Sequence, residues 1–179
     1  VVKLYAAAMF PGFFLALGVL AWKEQATSLG AILGGADVIS WGGQIPPLAL
    51  AAGALFLILL AENSRIPVDD PTTHLELTMI HEVMVLDHSG PDLAFILYGS
   101  ALKLWLFGVV LVSILLPAGA PAWMSMALFL GGMAIVAVSV GLVESVMARL
   151  RLTRVPQYLG LAGVLAGLAA LLLMTGWKP

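Results

Sequence analysis

No cysteine occurs anywhere in this 179-residue chain. That absence excludes disulfides, thiolate metal sites and iron–sulfur clusters held by the chain itself. Any redox chemistry associated with it belongs to a partner. Charge is almost as scarce: 10% of residues are Asp, Glu, Lys or Arg, against about 25% in soluble domains. Hydrophobic residues make up 61% and the mean hydropathy is +1.07. Polar surface this sparse cannot cover a globular core in water. The two-residue alternation of barrel strands is missing too. What remains are apolar runs of about 20 residues, and in hydrocarbon only a helix satisfies its own backbone. The sequence therefore predicts an all-α integral membrane protein, with residues 1–179 forming a single transmembrane domain.

Spanning helices are expected at roughly 4–22, 45–61, 93–116, 122–148 and 157–177, about five in all. Their limits are marked by Gly34–Gly35 and Gly42–Gly43, Pro67 and Pro71, Gly90–Pro91, Pro117 and Pro121, and Pro156. Segment 24–43 is too mixed to span and is expected to form a loop with an interfacial turn. No repeat is visible. Because the sequence opens on Val with no signal-peptide pattern, it is expected to be part of a longer subunit.

Orientation follows from the basic residues, which are retained on the cytoplasmic side. An odd number of spans puts Lys3, Arg65, Arg149, Arg151 and Arg154 on one side, against Lys23 and Lys178 on the other. The first side is expected to be cytoplasmic. The net charge of −2 says less than its distribution: residues 61–92, AENSRIPVDDPTTHLELTMIHEVMVLDHSGPD, hold seven of the ten carboxylates and all three histidines. This acidic loop and the basic turn RLRLTRVP then share the cytoplasmic face.

Within the loop, Thr73-His74-Leu75-Glu76 fits a capping box and Ser89-Gly90-Pro91 supplies a stop, predicting an amphipathic helix over about 73–88. At 100° per residue His74, His81 and His88 form one stripe. Glu76 and Asp87 fall together beside Ile80 and Val83 on the apolar face. Carboxyls held away from bulk water have raised pKa values and can exchange protons, as a relay requires. The alternative is a solvated amphipathic helix with its charges in headgroups or water. Zinc is not expected: His81-Glu82 lacks the second His of HExxH, and histidines seven apart on a helix are too distant to share an ion.

Two ionisable residues lie inside predicted spans. Lys103 is about eleven residues into the third, where an ammonium costs several kcal/mol without a partner or water. It is either a functional group or a paired packing residue. Glu144, one turn inside the fourth span, either joins a proton path or pairs with Arg149 or Arg151. Glu62 and Arg65 are expected to form a local pair.

The strings AENSRIPVDDPTTHLELTMIHEVM and SGPDLAFILYGSALKLW resemble the membrane-anchor subunit of formate hydrogenlyase and hydrogenase-4, energy-converting [NiFe] hydrogenases. That subunit is related to the complex I subunit at the base of the quinone chamber, whose loop resembles E-x-x-R-x-P-x-D-x-P-E-A-E-x-E-L. Glu62, Arg65, Pro67, Asp69, Pro71, Glu76 and Leu77 match that pattern. The sequence departs from it at Thr72 and His74, where complex I has Glu, and at Ser100, where complex I has an intramembrane Glu. These departures favour the hydrogenase branch.

The resemblance covers about two thirds of the chain and implies the C-terminal part of a subunit of about eight spans. It implies a non-catalytic subunit that docks a peripheral redox arm and links electron transfer to proton movement. The alternative is the quinone-site subunit of a complex I-like NADH-quinone oxidoreductase. Proton coupling would involve Glu76, Asp87, Lys103, Glu144, His74 and His81. Docking would use the 62–91 loop through Glu62, Arg65, Asp69, Asp70 and Glu82, with Arg149, Arg151 and Arg154. A Ni–Fe centre and iron–sulfur clusters are expected in partner subunits, and no cofactor in this chain. The implied partners are the hydrogenase large subunit and iron–sulfur subunits on the cytoplasmic side, antiporter-like membrane subunits and the lipid bilayer. Nucleic acid is not among them. The implied location is a bacterial or archaeal cytoplasmic (inner) membrane.

Replacing Arg149, Arg151 and Arg154 together by Glu should weaken assembly or disturb orientation, because the basic turn both retains the loop and faces acidic partners. Topology mapping and complex recovery check this; an intact, normally oriented complex would show the arginines dispensable.

Overall fold

A computed structural model of the chain describes residues 2–25, 27–35, 45–63, 65, 89–116, 120–147 and 155–175. Among the described residues six helices follow in order: α1 (Val2–Glu24), α2 (Leu29–Gly35), α3 (Ile45–Glu62), α4 (Pro91–Leu115), α5 (Ala122–Val146) and α6 (Val155–Met174). The five long ones fall within three residues of the predicted spans at either end. Four stretches, α3, α4, α5 and Pro156–Met174 of α6, are long and apolar enough to cross a membrane, and α1 adds a shorter apolar stretch, Pro11–Lys23. The chain is an all-α, multi-pass membrane protein.

Helix limits follow local chemistry. Gly90 has φ 65°, a conformation glycine adopts without steric cost, and Pro91 then occupies the first turn of α4, where its missing N–H is no loss. At the other end Leu116 is extended, as the residue before Pro117 must be. α2 is capped by Ser28, whose Oγ accepts from Ala31 N at 3.3 Å. This short helix revises the expected loop: Ile32 is buried in the main core, and α2 packs on α1 and α4.

α3 is the centre of the bundle, in contact with α1, α4 and α6. Gly12 of α1 lies against Ile58 of α3 and Gly163 of α6, while Val19 packs with Ala51 and Ala169. Those two levels show that α1 and α6 run parallel and α3 antiparallel to both. Small residues make the approach close, since Ala16, Ala54, Ala162, Ala166 and Ala169 are almost fully buried. Between helices in lipid there is no hydrophobic drive, so such van der Waals packing supplies the association.

α4 and α5 form an antiparallel hairpin applied to this unit through α4. Half of α3 is buried inside the protein, against 6% of α5. The hairpin closes where glycines admit side chains: a Cβ on Gly108 would stand 3.2 Å from Met133 Cε, and one on Gly132 would stand 2.7 Å from Val112 Cγ1.

Gly132→Ala should therefore destabilise the hairpin by about 1–3 kcal/mol through overpacking. Gly131→Ala, where a Cβ meets nothing within 4 Å, should be neutral or slightly stabilising. Unfolding in bicelles checks both, and Val112→Ala should restore the Gly132 variant.

Candidate functional site

The last turn of α3 is buried, with Leu59, Leu60 and Ala61 nearly inaccessible. A helix leaves its last four carbonyls without partners in the ladder. Here the chain itself supplies donors to three of them. Asn63 donates to the Leu59 carbonyl twice, from its backbone N at 3.2 Å and from Nδ2 at 2.8 Å. The Arg65 N–H donates to the Leu60 carbonyl at 2.9 Å. The Glu62 carbonyl accepts from Lys103 Nζ at 2.8 Å.

Lys103 thus does two things from another helix. The same ammonium lies 2.6 Å from Glu62 Oε1, so it satisfies a carbonyl, pairs a carboxylate and offsets the negative end of the α3 dipole. Three residues further along, Arg65 Nη1 donates to Glu144 Oε1 at 3.1 Å. Two ion pairs therefore bind the exit of α3 to α4 and to the end of α5. Both pairs are partly exposed, with side-chain accessibilities of 44% and 33% for Lys103 and Glu62 and 41% and 31% for Arg65 and Glu144.

This arrangement revises two expectations and adds a contact. Glu62 and Arg65 do not pair locally; each reaches a different helix, and Arg65 meets Glu144. Arg149 and Arg151, the expected partners of Glu144, lie outside the described residues. Lys103 is the thirteenth residue of α4, yet it stands level with the end of α3, so α4 continues for twelve residues on the loop side of it, about 18 Å. Its charge has a partner and a carbonyl, so the cost of an isolated ammonium in hydrocarbon does not arise. Ser100, one turn away, donates to its own helix at Leu97 O.

Of the sequence-predicted site residues, Glu62, Arg65, Lys103 and Glu144 are brought together. His74, Glu76, His81, Asp87, Asp69, Asp70, Glu82, Arg149, Arg151 and Arg154, with the expected loop helix, lie outside the described residues. Sequence reasoning missed Asn63, whose place just after an apolar run was the available signal for a helix-ending amide. It also missed Tyr158, whose hydroxyl donates to Leu57 O at 3.2 Å and ties α6 to α3 near the same end. Nothing in the sequence pointed to that contact.

Chemically, the site is a set of two carboxylates, each held by a cation on a different element. The family model described as NADH dehydrogenase matches residues 6–175, and the chain belongs to that family. No curated protein and no solved structure matches it significantly. Family and fold together make it a membrane-embedded subunit of a multi-subunit, complex I-like oxidoreductase.

Lys103→Met strands both the carboxylate and the carbonyl of Glu62, and should cost about 1–3 kcal/mol. Partial exposure puts the effect toward the lower end. Adding Glu62→Gln should recover part of the loss, with a coupling of about 0.5–3 kcal/mol in a double-mutant cycle. Strict additivity would show that the pair is not energetically linked.

Proposed function

We propose that this chain is the membrane-anchor and ion-coupling subunit of an energy-converting [NiFe] hydrogenase of the formate hydrogenlyase type. In this reading the loop after α3 docks the peripheral redox arm, and the charged cluster transmits its state to the membrane helices. The observation that carries the reading is the pair of ion pairs at the root of the loop, Lys103–Glu62 and Arg65–Glu144. Any displacement of the loop pulls first on Glu62 and Arg65, and through them on α4 and α5.

Electrostatics makes the link two-way. A change of charge in a docked redox subunit alters the proton affinity of nearby carboxyls, and each tenfold change in that affinity corresponds to about 1.4 kcal/mol. Within the cluster Glu144 and Lys103 are assigned to proton coupling, and their ion-pair partners Arg65 and Glu62 to the docking loop. Glu76, Asp87, His74 and His81 are assigned to the same proton-coupling role on their placement in the loop sequence. Asp69, Asp70 and Glu82, with Arg149, Arg151 and Arg154, are assigned to docking. The hydrogenase assignment rests on residues: Ser100 stands where complex I carries an intramembrane Glu, and Lys103 follows one turn later.

The family match favours a second reading, the quinone-site subunit of a complex I-like NADH-quinone oxidoreductase. Affinity purification of the tagged chain from its own membranes separates the two. Co-recovery of a [NiFe] large subunit, iron–sulfur subunits and antiporter-like subunits supports the first. A quinone analogue that labels the chain near Arg65 in a complex without hydrogenase overturns it.

Assembled complexes carrying Glu76→Gln or Lys103→Met should lose part of the proton movement that accompanies hydrogen turnover. Turnover and proton uptake measured together in sealed vesicles check this. Wild-type rate and ratio in both variants would leave these residues structural only.

A further inference from the structure

Ionisable side chains in the long helices stop at the level of the charged cluster. On the far side of Glu62, Arg65, Lys103 and Glu144, residues 6–22 of α1, 45–61 of α3, 104–115 of α4, 122–143 of α5 and 159–174 of α6 hold none. We infer that the cluster is a one-sided site: it meets water from the loop side alone, the bundle beneath it is a seal, and no proton exchanged at Glu62 or Glu144 crosses the membrane through this bundle.

The space beneath the cluster is filled by hydrocarbon. Leu55 and Leu59 of α3, Leu111 and Ile114 of α4, Leu20 of α1 and Ile32 of α2 belong to one buried group, none more than 6% accessible. That group begins one turn below Glu62 and reaches α2, which packs on α1 and α4 at the opposite end. From Glu62 to Ile45 α3 runs about 26 Å, close to the thickness of a hydrocarbon core, about 30 Å.

A proton moves between groups within hydrogen-bond reach of one another or of a shared water. Ion pathways through membrane helices are accordingly marked by ionisable residues within the spans. Here the next hydroxyl down α4 from Lys103 is Ser113, about 15 Å lower. On α5, Ser139 donates to its own helix at Ile135 O, and Ser125 donates to Ala120 O. A water between the apolar walls would lack the polar partners that hold buried water in place.

The open side is equally defined. The four charged side chains keep between 31% and 44% of their surface, which in a membrane calls for water or polar groups at that level. α3 ends there. Gly108 lies beside Val136 and Gly132 beside Val112, and continuing that antiparallel register sets Glu144 level with Ser100. Of the helices that form the cluster, only α4 therefore continues more than one turn beyond it. The opening faces the side on which the chain leaves Arg65.

The absence of cysteine permits a direct test, because residues 1–179 hold no other thiol. Ser100→Cys and Ser145→Cys report on the cluster, Ser113→Cys on the seal, and Thr175→Cys, beyond the end of α6, on the opposite face. Assembled complexes carrying each variant are exposed, in sealed vesicles of either orientation, to a membrane-impermeant quaternary-ammonium methanethiosulfonate. After denaturation the thiol that remains is measured with a maleimide. The expected result is loss of maleimide labelling at Ser100→Cys and Ser145→Cys after treatment from the loop side only, at Thr175→Cys from the opposite side only, and at Ser113→Cys from neither. Modification of Ser113→Cys, modification of a cluster thiol from the opposite side, or failure of both cluster thiols to react from the loop side would each overturn the proposal. Thiol access, unlike turnover, does not depend on which complex the chain serves, so failure here leaves that assignment untouched.

Discussion

A buried helix end must find hydrogen-bond partners, and the rest of this bundle is arranged around that requirement. α3 lies at the centre, and Leu59, Leu60 and Ala61 near its end are almost inaccessible. An unsatisfied carbonyl in such surroundings costs as much as several good packing contacts gain. The donors come from Asn63, from the backbone of Arg65 and, across to another helix, from the ammonium of Lys103. Meeting the requirement with a lysine from α4 fixes the height of α4 relative to α3. It also fixes the point at which the charged loop begins.

The two parts of the bundle are held by different forces. α1, α3 and α6 associate mainly through buried alanines and close glycine contacts, with one hydrogen bond from Tyr158 to Leu57 O. The α4–α5 hairpin has few buried residues and is joined to α3 through its own packing and the two ion pairs. Dispersion contacts are insensitive to protonation, whereas ion pairs are not. The outer faces of the hairpin, with Trp123, Ile135 and Val138 largely exposed, are apolar and suit lipid or neighbouring membrane subunits of the complex.

Lys103 shows how a costly residue becomes a structural asset. In hydrocarbon an ammonium needs a counter-charge and acceptors for its protons. Glu62 provides both through one residue, its carboxylate and its main-chain oxygen. The same contact places a cation at the negative end of a helix dipole.

Composition and the length of the apolar runs determined that the chain is a helical membrane protein, because a bilayer permits few backbone solutions and punishes every exposed polar group. Pro and Gly determined the helix limits, as at Gly90–Pro91 and Leu116–Pro117, since their effects are local. Clustered charge marked Glu62 and Arg65, and isolated charge inside apolar spans marked Lys103 and Glu144, one by one as candidates. Which of them meet was decided only by tertiary structure: a sequence-local view pairs Glu62 with Arg65, whereas packing brings Lys103 to Glu62 across 41 residues and Glu144 to Arg65 across 79. The reason is that a helix can present a charge in any direction around its axis, and the height and rotation of each neighbour follow from side-chain packing along its whole length.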